Sequence, residues 1–121
     1  MSNNIEPLVY SCSGCSNVAQ LANDVALELN ARKIAQMSCI AGVGGKVKGL
    51  VKLAKSGRPI VALDGCKLHC VKACLAEVNV QPYIHLTFTD SGKKKGRYEI
   101  SSNREVSDWC EQVLQLLERR A

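Results

Sequence analysis

Residues 7–29 read PLVYSCSGCSNVAQLANDVALEL, and the two halves of this stretch follow different periods. Pro7 to Ser11 is a short apolar run suited to a buried strand. Val18, Leu21, Ala22, Val25 and Leu29 then recur at helical spacing, with Ser16 or Asn17 placed to cap the first turn. The rest of the chain repeats this alternation. Lys33 to Ile40 reads as a second strand, and after the Gly-rich Ala41 to Gly45 the residues Val47, Leu50, Val51 and Ala54 mark a second helix closed by Gly57. Pro59 to Leu63 is a third strand, followed by Leu68, Val71, Leu75 and Val78 on a helix predicted to start near Cys66. Tyr83 to Thr87 is a fourth strand, and Val106, Trp109, Cys110, Val113, Leu116 and Leu117 form the most regular helical stripe. The segment Asp90 to Ser101 fits either a hairpin or a crossing loop.

Strands alternating with helices point to right-handed βαβ crossovers that cover both faces of a mostly parallel sheet. The expected fold is therefore a three-layer α/β domain with four strands, Rossmann-like or flavodoxin-like. By analogy with doubly wound sheets the expected strand order is 2-1-3-4. At 121 residues the chain has the size of a single domain. It is 46% hydrophobic and 22% charged, in the range of globular proteins. No apolar run approaches a membrane span and the first residues lack a secretory profile, so the expectation is a cytoplasmic protein with no membrane partner. The formal charge is +5, but only 4% of residues are aromatic, which leaves little for stacking on nucleic-acid bases.

The anomaly is cysteine, with seven residues at positions 12, 15, 39, 66, 70, 74 and 110. An odd number without a secretory signal argues for reduced thiols that serve metal or redox chemistry. In a parallel sheet the β-to-α turns open on one carboxyl edge, where such folds place their ligands. Cys12 and Cys15 fall in the first of these turns, Cys39 ends the second strand and Cys66 ends the third. Cys12-Ser-Gly-Cys15 has a spacing that lets two sulfurs face one ion, and with Cys39 and Cys66 it makes an S4 set suited to Zn(II) or to an Fe–S cluster. The same CxxC pair at a helix start also fits thiol redox chemistry, and buried free Cys used only for packing is the bland alternative. On a helix, Cys66, Cys70 and Cys74 drift about 40° and descend about 6 Å per step. Cys70 then reaches the rim only if the helix begins late or the ion sits low, and Cys74 is core-like. Cys110 lies in the last apolar stripe and is expected to pack.

Asp64 stands at the same edge, either as a hydrogen-bonding neighbour of the thiols or as a helix cap. The run Gly42 to Lys46 is not a P-loop, because Ile40 and Val47 occupy positions that need Gly and Ser or Thr. Two readings remain for it, a nest of N–H groups for an anion or a simple turn. His69 and His85 are expected away from the rim as packed or surface imidazoles, and Lys93-Lys94-Lys95 with Arg97 as a solvated loop. No general base other than Asp64 is placed near the rim, so the residues favour binding and leave any catalysis unassigned.

The stretches Tyr10 to Asn17, Met37 to Gly45 and Asp64-Gly65-Cys66, together with Cys70 and Cys74, resemble the DGC-domain family, small zinc-binding proteins named for an Asp-Gly-Cys motif. The resemblance spans about residues 8 to 90. It implies a metal site that includes Cys70 and Cys74, with no reaction attached.

Overall fold

The computed structural model describes residues 6–120. Four strands, β1 (Leu8–Ser11), β2 (Gln36–Met37), β3 (Ile60–Asp64) and β4 (Ile84–Thr87), form one sheet in the order β2-β1-β3-β4, and every pairing is parallel. This is the expected three-layer α/β architecture and the expected order. Helix α1 (Asn17–Ala31) packs on β1 and β3 and against α5 (Asn103–Arg120). On the other face, α4 (Cys70–Glu77) packs on β3 and against α2 (Ile40–Gly44), which is followed by α3 (Lys48–Ala54). β1 and β3 are buried along their whole length, as central strands covered on both faces must be. No helix among the described residues is long and apolar enough to cross a membrane.

Ser16 caps α1 by accepting the Ala19 N–H at 3.1 Å. In α5, Trp109, Cys110 and Val113 face the core, and Trp109 meets Phe88 with ring centres 4.6 Å apart.

Three elements differ from the sequence expectation. β2 keeps only two of the eight residues expected of it. Lys33 adopts a left-handed φ of 60°, and the N–H groups of Ile34 and Ala35 turn back to the carbonyl of Leu29, so these residues close α1 before any strand can begin.

The Gly-rich segment is helical rather than a loop, and the N–H groups of its second half are turned into the chain's own carbonyls. Val43 N–H bonds to Cys39 and Gly45 N–H to Ala41, within and at the end of α2. Its glycines serve close packing: a Cβ on Gly42 would run into Leu50, and one on Gly44 would lie 3.1 Å from the Cys74 sulfur.

The fourth helix starts at Cys70 rather than Cys66. Residues 66–69 form a turn, with His69 N–H bonded to the Cys66 carbonyl at 3.2 Å and His69 itself left-handed at φ 54°. Leu68, expected on the buried stripe, is 72% exposed. The segment 90–101 is a loop after a 3-10 turn (Phe88–Ser91), with an isolated antiparallel bridge between Ser16 and Arg97.

Candidate thiol site at the carboxyl edge

Cys12 continues the line of β1 by donating its N–H to Leu63 at 3.1 Å, and its side chain is buried. The Gly65 N–H donates to the Cys12 sulfur at 3.2 Å, joining the first turn to the Asp-Gly-Cys turn across the sheet edge. That turn comes very close to α1. A Cβ on Gly65 would lie 2.7 Å from the carbonyl carbon of Val18, so only glycine fits there.

Cys15 is exposed. Gln20 donates to the Gly14 carbonyl at 2.7 Å and fixes the turn just before it. Cys39 is also exposed, in the extended residue that precedes α2. Cys66 is partly exposed and accepts a hydrogen bond from Lys95 Nζ at 3.4 Å.

The late start of α4 puts Cys70, exposed, at the first residue of that helix on the same edge. Cys70 therefore reaches the rim, and Cys66, expected at a helix N-terminus, does not stand at one. Cys74, expected to be core-like, is half-buried against Gly44.

Cys66 and Cys70 both lie within electrostatic reach of Cys12, and Cys70 within that of Cys74. Cys15 faces elsewhere, into a cleft of about 700 Å³ shared with Lys95, Arg97 and Tyr98. Among the described residues, no group of three or more Cys, His, Asp or Glu side chains is posed around one point as a ready metal shell.

The basic loop is not simply solvated. The Asn17 side chain donates to Lys94 O at 2.9 Å and accepts Gly96 N–H at 2.7 Å, while its own N–H donates to Gly96 O at 3.1 Å. This pins the loop to the start of α1 and delivers Lys95 to Cys66.

Asp64 is 1% exposed, and its carboxylate accepts from Val71 N–H at 2.8 Å, Lys72 N–H at 3.3 Å and His85 Nε2 at 2.8 Å. It is thus the cap of α4, supplied from the end of β3. His69 contacts Thr87 Oγ1 at 3.1 Å and meets the His85 ring edge-on at 4.8 Å. The histidines expected away from the edge form a partly buried polar network around its buried aspartate. Asp64 pairs with Thr87 and Ala62 with His85 in the β3–β4 register, which sets these side chains on one face of the sheet. A histidine two residues before a threonine in a strand is a sequence sign of a shared face, but the partner across the sheet is not readable without the register.

Burial pushes the Cys12 thiol up to about 11, opposed by the Gly65 N–H and reinforced by the negative charges of Asp64, Cys70 and Cys66. Burial likewise pushes Cys110 up to about 11, opposed by Arg32. The folded chain holds these protons more tightly than an unfolded chain with thiols near 9.0. Their contribution to stability is therefore complete below about pH 9 and is lost as pH rises toward 11. At neutral pH, iodoacetamide is expected to label Cys15, Cys39 and Cys70 in the folded metal-free protein and to spare Cys12 and Cys110. Peptide mass spectrometry reads the order, and Cys110 reacting as fast as Cys15 would contradict the burial.

The DGC domain profile matches residues 8–113. Over 89 residues, which is 74% of this chain and 68% of the relative, the sequence is 67% identical to the anaerobic and virulence modulator AnvM of Pseudomonas aeruginosa. No solved structure matches the chain.

Proposed function

Since the chain belongs to the DGC-domain family, we propose that it binds a metal ion, Zn(II), through cysteine thiolates at the carboxyl edge of its sheet. The observation that carries this reading is the 3.2 Å bond from Gly65 N–H to the Cys12 sulfur, which holds the first turn beside the turn bearing Cys66 and the helix start bearing Cys70. Cys12, Cys66 and Cys70 are the inner group. Cys15 and Cys39, exposed on neighbouring turns, supply the remaining position by side-chain rotation, and Cys74 stands one helical turn below Cys70.

The donor set fits the ion. Soft thiolates suit zinc, and backbone N–H and lysine donors to sulfur offset the negative charge of several thiolates. Lys95 at 3.4 Å from Cys66 is such a donor. Cys12 would have to give up the proton that burial holds on it before it could ligate a metal, so uptake is expected to release protons and to weaken in acid.

The test is elemental analysis of anaerobically purified protein with single Cys→Ser variants. Bound zinc is expected to fall in Cys12→Ser, Cys66→Ser and Cys70→Ser, to weaken in Cys15→Ser and Cys39→Ser, and to persist in Cys110→Ser. Unchanged zinc in all of the first three would refute the site. Brown protein with visible absorption would replace zinc with an Fe–S cluster on the same sulfurs.

A further inference from the structure

Away from the thiols, a cleft of about 430 Å³ opens between α4 and the edge strand β4, and its lining includes Lys72, Ala76, Tyr83, His85 and Arg120. Three of the eight lining residues are basic, and among the described residues no acidic side chain lines the cleft. They come from three separate elements. Lys72 is on α4, His85 on β4, and Arg120, in the last turn of α5, reaches the cleft beside Tyr83.

Two of them are held in place. The Tyr83 hydroxyl donates to the Arg120 carbonyl at 2.7 Å, and the Arg120 guanidinium lies 5.2 Å from the centre of the Tyr83 ring. The His85 side chain is 19% exposed, and its Nε2 is committed to the buried Asp64 carboxylate at 2.8 Å. That bond fixes the ring and leaves Nδ1 for a ligand. A protonated ring donates from Nδ1, and a neutral ring accepts the O–H of a partly protonated oxyanion.

We infer that this cleft is a second binding site, for a phosphate group, held by Lys72, His85 and Arg120. Basic side chains brought to one cleft from three elements suit a tetrahedral anion with several oxygens better than a single carboxylate, and the Arg fork can engage two of them. The site is independent of the thiol reading, because no cysteine lines it.

Titration with inorganic phosphate and with glycerol 3-phosphate, followed by amide chemical shifts and calorimetry, tests the inference. Saturable binding is expected from at least one of the two, with shifts at residues 72, 76 and 83, and acetate is expected to bind at least about tenfold more weakly. Response to inorganic phosphate identifies free phosphate as a sufficient ligand, and response to the ester alone identifies an esterified one. Arg120→Gln and Lys72→Gln change exposed side chains, and each is expected to weaken binding about tenfold, as is His85→Gln. No saturable response to either compound, or equal affinity in the wild type and in both exposed-residue variants, would overturn the assignment. Zinc is expected to leave the phosphate response unchanged, so its failure does not touch the metal reading.

Discussion

Asp64→Ala is expected to destabilise the protein by about 3–5 kcal/mol, the range for removing one partner of a buried ionic or hydrogen-bonded pair. The carboxylate is 1% exposed and satisfies two N–H groups of α4 and the His85 ring. Alanine would leave all three without this acceptor, the Val71 N–H in a buried position and the other two in partly buried ones. Because domains of this size are stable by about 5–15 kcal/mol, the loss is a large share of the total. Asp64→Asn keeps the shape and one acceptor oxygen but turns an NH2 toward groups that are themselves donors, so an intermediate loss is expected. Urea unfolding at neutral pH measures both. The variant should also release Cys70 from its place, since Asp64 anchors the first turn of the helix that Cys70 begins. An alanine variant that unfolds at the wild-type urea concentration would show that the network contributes nothing.

Gly65→Ala is the second large effect. An added Cβ would meet the carbonyl carbon of Val18 at 2.7 Å, its oxygen at 2.8 Å and the nitrogen of Ala19 at 2.9 Å. All three are backbone atoms of the first turn of α1, which cannot rotate aside as a side chain would. The Asp-Gly-Cys turn must then move away from α1, at a cost of about 1–3 kcal/mol or more. The movement also pulls the Gly65 N–H off the Cys12 sulfur, so the rate at which Cys12 is alkylated should rise. Gly49→Ala provides the control. Gly49 lies inside α3 with nothing within 4 Å of an added Cβ, so alanine there should stabilise by about 0.5–1 kcal/mol through helix propensity. Equal unfolding midpoints for the two variants would remove the close-approach account.

The parts legible in the sequence were those fixed by local pattern. The apolar runs at Pro7–Ser11, Pro59–Leu63 and Tyr83–Thr87 lie within one residue of β1, β3 and β4, and the stripe through Trp109 and Cys110 faces the core as its spacing requires. The strand order matched by analogy with doubly wound sheets and was not itself readable from the local pattern. The parts not legible depended on tertiary partners. Hydropathy does not distinguish a strand from the residues that close a helix, so the strand expected over Lys33 to Ile40 takes in Lys33 to Ala35, which close α1. The start of α4 is set by a cap from Asp64, beyond the turn, rather than by the residues just before the helix. A glycine-rich run reads as a loop unless the neighbours that need its bare backbone, Leu50 and Cys74, are known. At the thiol edge, the turns that carry the cysteines were readable, whereas the inward direction of Cys12, the outward direction of Cys15 and the histidine network behind Asp64 required the register.

The central position of β1 has a consequence for synthesis on the ribosome. Its neighbours β2 and β3 are both made later, and the longer of its two ladders is the one with β3. A nascent chain that has exposed the first turn and helix still lacks the strand that holds Cys12 in place, and pairings so distant along the chain form slowly. Cys12, buried only in the finished fold, therefore emerges as an unprotected thiol, open to oxidation or to a wrong ion, until Leu63 and Gly65 have cleared the exit tunnel.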